Sequence, residues 1–316
     1  MFATALVPIN FRESLPRLRG LVSFLGKFGT GRLILLHVTS GQQRDRQERR
    51  LEELREQLRE TLEAAHLECE IRLSSGSPPS EVCRVAREAE ADYIALPWRR
   101  KNWLQRTLAG SFSRDLIRLS DLPLFLYKGG GHGSWGESPR EAFVVLYATA
   151  LQIQDEHVLP LLSWPRLQVD RLVLVHAGPR APDPVAEHRR DQEVSRRLVS
   201  LARNCEVPGR LVDTRSVTGK ARREILRIAR QEGARMLVVG KSEKRRGLAG
   251  MVGSVAESVA YDARQSVLIV GAPRGSAAPA DPVSSGGSAF PGDSASPADS
   301  ASPADSASPR KETDRA

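Results

Sequence analysis

The sequence predicts an α/β fold: two tandem doubly wound parallel five-stranded sheets followed by a disordered C-terminal tail. Three observations carry that expectation. Gly110-Ser111 recurs 143 residues later as Gly253-Ser254, and Gly76 to Lys128 aligns with Gly219 to Gly271 without a gap. Glu81 falls on Glu224, Ala86 on Ala229, Arg87 on Arg230 and Ala91 on Ala234, so one unit has been duplicated. Short β-rich runs alternate with longer amphipathic segments, the pattern of a parallel sheet covered on both faces. Beyond residue 275 the chain turns to Ser, Ala, Pro and Asp, including a repeated Asp-Ser-Ala-Ser-Pro-Ala unit, and buries too little apolar surface to fold.

In the first copy the strand runs are Thr4 to Ile9, Arg32 to Val38, Glu68 to Leu73, Tyr93 to Leu96 and Leu124 to Tyr127. Between the second and third, Leu51, Leu54, Leu58, Leu62 and Ala65 fall on one face of a helix whose other faces are Glu and Arg. The second copy supplies Phe143 to Ala148, Arg171 to Ala177, Gly209 to Asp213, Met236 to Val239 and Val267 to Val270. Its early part aligns at an offset of 139, setting Thr4 to Asn10 on Phe143 to Thr149 and Leu33 to His37 on Leu172 to His176. The expected domains are residues 1–128 and 141–274, joined by a flexible Gly-rich linker at 129–140 and followed by the tail at 275–316.

The chain has 47 Lys and Arg against 38 Asp and Glu; the tail holds three and six of these, leaving 44 against 32, or +12, on the part that folds. Such a balance favours anionic company. Three cysteines, Cys69, Cys83 and Cys205, form no metal-spaced pair, which suits a reducing compartment. Thr4-Ala5-Leu6-Val7-Pro8-Ile9 opens a strand with no basic lead and no long apolar run, so the expected location is cytoplasmic, away from membranes. The six histidines show no ligand spacing, and no Ser, His and Asp set has a nucleophile turn. The residues name no acid, base or metal ligand, so the chain reads first as a binding protein, with slow nucleotide hydrolysis as a third-ranked alternative. His37 and His176 recur at equivalent strand ends, where each is expected to satisfy a local hydrogen bond.

From Gly219 to Pro273 the chain reads Gly, Glu-Ile-Leu-Arg-Ile-Ala, Ala-Arg-Met-Leu-Val-Val-Gly, Gly-Ser and Val-Leu-Ile-Val. This segment resembles the C-terminal half of a universal stress protein domain. The first copy, from Leu6-Val7-Pro8-Ile9 through Leu124 to Tyr127, looks like the same domain, so the resemblance spans everything except linker and tail. It implies a Rossmann-like fold, a role in stress response and pairing through the fifth strand. The two copies would then pack as an internal pseudo-dimer around Leu124 to Tyr127 and Val267 to Val270. Nucleotide-binding members carry Gly, two residues, Gly, nine residues, Gly and then Ser or Thr, with an Asp at the end of strand one. Glycines let such a loop approach phosphate, and amides at the next helix N-terminus donate to it.

In copy two the spacing survives as Gly240, Lys241, Gly253 and Ser254, with Glu243 where the second Gly belongs. Thr149 falls at the Asp position and Ala177 at the end of the second strand. The resemblance therefore implies ATP, with magnesium, as the ligand of the second domain. Copy one keeps Gly110 and Ser111 but has Pro97 and Arg100 at the leading glycines, with Asn10 at the Asp position and Val38 at the second strand. Positive charge persists in both loops, as Arg99, Arg100, Lys101 and Arg106 with Trp98 and Trp103, and as Lys241, Lys244, Arg245 and Arg246. The competing expectation is a nucleotide-free scaffold whose basic loops hold an acidic protein or nucleic acid.

Overall fold

A computed structural model describes residues 2–39, 43–98, 112–129, 142–152, 154–241 and 254–271. One compact unit, Met1–Ser276, holds all of them. The linker from 130 to 140, the tail, and the loop residues 99–111 and 242–253 lie outside the described residues, and with them Gly110, Ser111, Glu243 and Gly253.

The first half runs β1 (Thr4–Pro8), α1 (Leu15–Lys27), β2 (Arg32–Thr39), α2 (Arg44–Ala64), β3 (Glu68–Ser75), α3 (Pro78–Glu88), β4 (Tyr93–Pro97), α4 (Phe112–Leu119) and β5 (Leu124–Tyr127). The second repeats it as β6 (Val144–Ala148), α5 (Gln154–Leu162), β7 (Arg171–Gly178), α6 (Pro184–Arg203), β8 (Leu211–Thr218), α7 (Ala221–Gln231), β9 (Met236–Gly240), α8 (Ser254–Asp262) and β10 (Ser266–Val270). Local chemistry fixes several ends. Proline occupies the first turn of α1 and α3, where no amide partner is needed, and the Asp183 carboxylate accepts from Ala186 N at 2.9 Å to cap α6. The predicted Leu stripe of α2 is buried at Leu51, Leu58 and Leu62.

Within each half the strands are parallel, and the sheet reads β3-β2-β1-β4-β5-β10-β9-β6-β7-β8. The two five-stranded sheets are halves of one ten-stranded sheet, joined where β5 meets β10 antiparallel with Leu126 opposite Val267, Phe125 opposite Leu268 and Leu124 opposite Ile269. Apolar clusters line both faces. One lies under α1, α2, α5 and α6 and the other under α3, α4, α7 and α8, each containing residues of both halves. Strands β5 and β10, covered on both sides, are buried throughout and read as unbroken apolar runs.

Two expectations shift. The strand expected at Gly209 to Asp213 is Leu211–Thr218, because Val207 to Arg210 forms a turn, with Arg210 N donating to Val207 O at 3.0 Å, and an edge strand carries weak apolar patterning. The offset of 139 holds at β7 but not at β6. Thr4 pairs with Arg32 and Val144 with Arg171, so β6 lies at an offset of 140; Thr149 is the counterpart of Ile9, and Ala150 that of Asn10. Backbone pairing, not side-chain likeness, sets that register. The aligned glycines Gly76 and Gly219 have φ of +139° and +150°, and a Cβ on either would crowd the aligned Glu81 or Glu224. That repeat therefore preserves a turn.

Candidate functional site

In each half the chain leaves the first strand toward one side of the sheet and returns on the other, so a crevice opens beyond the carboxyl ends where that order reverses. In the first half the crevice is a cavity of about 440 Å³ at the ends of β1, β2 and β4. Leu36, Val38, Val82 and Leu96 make its apolar lining, while Arg12, Arg17 and Arg114 bring positive charge. Glu13 is the carboxylate among the described lining residues.

Asn10 and Val38, named from the sequence, both line this cavity. Asn10 Oδ1 accepts from Arg12 N at 2.9 Å, and Glu13 accepts from Asn10 N at 3.3 Å, so the turn after β1 is tied to the start of α1. His37 Nδ1 donates to Ile9 O at 2.8 Å and its ring lies 4.5 Å from that of Phe11. Its counterpart His176 makes the equivalent bond, Nδ1 to Thr149 O at 3.1 Å, as the sequence led one to expect. Pro97, at the leading glycine position, ends β4; Trp98 follows, buried, with its carbonyl accepting from Arg17 and its amide donating to Tyr127 O at 2.7 Å. The remaining wall comes from the other half: Tyr261 of α8 meets Trp98 edge to face at a centroid distance of 5.2 Å. Burial raises the Tyr261 hydroxyl pKa against the opposing hydrogen bond from Arg114.

The described candidates of the second half are occupied differently. The Thr149 hydroxyl donates to the buried Asp155 carboxylate at 2.7 Å and accepts from Leu151 N at 2.8 Å. The Tyr147 hydroxyl donates to the same carboxylate, and burial with that negative neighbour drives its pKa upward. A Cβ on Gly240 would sit 3.0 Å from Gln154 Cβ, so this glycine accommodates α5. The Lys241 ammonium reaches away to the end of α4, donating to Arg118 O at 3.2 Å and Ser120 O at 3.3 Å. Ala177 packs against the apolar cluster beneath α7, and Ser254 opens α8. The structure thus brings Asn10 and Val38 to one cavity and spreads Thr149, Gly240, Lys241 and Ala177 among packing roles.

Arg17, Arg114 and Tyr261 were not singled out from the sequence. Arg17 is revealed by its bond from α1 to the Trp98 carbonyl, and Arg114 and Tyr261 by the meeting of α4 and Trp98 with α8 across the seam. Among the described residues no cluster of three or more His, Cys, Asp or Glu can hold a metal, and no helix is long and apolar enough to cross a membrane. Burial raises the thiol pKa of Cys69 and Cys205 to about 11, which leaves both as poor nucleophiles near neutrality.

Residues 1–128 and 166–271 match the model of the universal stress protein family. The unmatched stretch between them contains β6 and α5, where Ala150 and the Asp155 cluster stand. No curated protein matches the chain. Among solved structures, a universal stress protein from Archaeoglobus fulgidus DSM 4304 aligns with a TM-score of 0.63 at 19% identity, covering 87% of this chain and 98% of that one. A functionally unknown protein from Pseudomonas aeruginosa PAO1 aligns at 0.61 and 17% identity, over 85% of this chain and 92% of that chain. These likenesses establish a shared fold.

Proposed function

Since the chain belongs to the universal stress protein family, we propose that it is a stress-response binding protein whose ligand, an adenine nucleotide, enters the cavity of the first half. The observation that carries this reading is the cavity itself: a largely apolar space at the strand-order reversal, large enough for a planar ring, with Asn10 and three arginines among its lining residues. Apolar walls suit the base, Asn10 can accept from or donate to a ring or sugar group, and the guanidinium groups suit phosphate. Glu13 by itself makes a poor magnesium site, so a magnesium ion would arrive with the nucleotide's own oxygens.

The second half is the weaker candidate. Its Thr149 is committed to Asp155, its counterpart of Asn10 is Ala150, and its Lys241 is drawn to α4. We also read the two halves as an internal pseudo-dimer, a reading supported by the β5–β10 pairing.

Calorimetric titration with ATP tests the assignment. Wild type and Ala177→Phe are expected to bind alike, whereas Val38→Phe, which fills the first cavity, should weaken binding at least about tenfold. Loss confined to Ala177→Phe would move the site to the second half, and absence of binding in wild type would overturn the nucleotide reading.

A further inference from the structure

The first cavity is built by both halves of the chain. Tyr261 lies on α8, beyond the β5–β10 seam, yet it lines the cavity and stands at an interplanar angle of 65° to Trp98. Arg114 of α4 also lines it, and its guanidinium Nε lies 3.5 Å from the Glu257 carboxylate of the same α8. Trp98 is held in turn by the seam: the Lys128 ammonium lies 5.9 Å from its ring centroid while donating to Ala260 O at 2.5 Å and Ala263 O at 2.7 Å at the end of α8.

The arrangement is not repeated in the second half. At the 143-residue spacing Trp98 corresponds to Lys241 and Tyr261 to Arg118, and there the lysine ammonium simply meets the arginine's carbonyl. At these positions the two halves have therefore diverged, and α8 of the second half furnishes part of the wall of the first-half cavity.

Resting on the reading of this cavity as a nucleotide site, we propose that α8 of the second half sets its ligand preference, Tyr261 closing the wall on a planar ring and Glu257 restraining Arg114 from an incoming anion. Tyr261 offers a ring face or edge to the ligand from α8, beside Trp98. An anionic group must compete with Glu257 for Arg114, so the carboxylate weakens anion binding while it positions the guanidinium. Tyr261 is thus a specificity residue and Glu257 a positioning residue that acts through Arg114.

Full-length chains carrying Tyr261→Ala, Tyr261→Phe or Glu257→Gln, each checked for a native melt, are titrated with ATP and with adenosine. Tyr261→Ala should weaken both by about tenfold, and Tyr261→Phe should recover binding to within about threefold of wild type. Glu257→Gln should tighten ATP about threefold more than adenosine, a split that general loosening of α8 does not produce. Tyr261→Ala within about twofold of wild type, or Glu257→Gln moving both ligands equally, overturns the proposal. Should wild type bind neither compound, the nucleotide reading fails separately. The wall is then read with anilinonaphthalene sulfonate, a planar aromatic anion: fluorescence lost in Tyr261→Ala and kept in Tyr261→Phe supports it, and equal signals in all three chains overturn it.

Discussion

Gly20 sits on α1 facing Tyr127 of β5, and a Cβ there would lie 2.4 Å from the tyrosine Oη and 3.2 Å from Cζ. Helix propensity favours Ala at such a position by about 1 kcal/mol, but overpacking in a filled core costs about 1–3 kcal/mol. Steric conflict wins, because Tyr127 is buried and cannot swing aside. Gly20→Ala should therefore lower the urea-unfolding free energy, and in a Tyr127→Phe background, which removes the nearest atom, its cost should shrink by at least about 1 kcal/mol. A similar contrast runs through the site residues. Asn10 and Val38 were legible because the family resemblance implies a site at those strand ends, where ligands of such sheets gather. Thr149 was placed by side-chain likeness one position out of register, and its hydroxyl is spent on Asp155, a residue that no motif connects to it.

At the scale of elements, the helices α4 and α8 end against lysines of the opposite half. Lys241 serves α4 from the end of β9, and Lys128 serves α8 from the end of β5. Terminal carbonyls concentrate the negative end of the helix dipole, so an ammonium there satisfies acceptors that the helix leaves open. The two contacts differ in weight. Lys128 is buried, with both bonds shielded from water, whereas the Lys241 bonds reach exposed and half-buried carbonyls. Lys128→Met should cost about 2–3 kcal/mol in denaturant unfolding, and Lys241→Met no more than about 1 kcal/mol. Strand and helix identities were largely readable from apolar runs and the leucine stripe of α2. The end-to-end lysine contacts were not, since Lys241 reads in sequence as part of a basic loop poised for phosphate.

For the whole molecule, the decisive feature is the seam. Leu124, Phe125 and Leu126 are buried, and their strand edge is satisfied only by β10. A chain ended after residue 128 would present that apolar edge to water, and edge strands of this kind pair with whatever edge is offered. Such a fragment is expected to sediment as a dimer at micromolar concentration; a folded monomer would show that β5 needs no partner. Hydrophobic period and repeat spacing are local properties written along the chain, and they sufficed for the α/β class, the duplication and the five strands of each half, while the motifs from Gly219 to Pro273 carried the resemblance to the family. What had to wait for the tertiary structure is the antiparallel register in which β5 meets β10 and the reach of Tyr261 from the second half into the cavity of the first. Those outcomes depend on which distant side chains meet once both faces and the central edge are buried, and no local pattern encodes such a meeting.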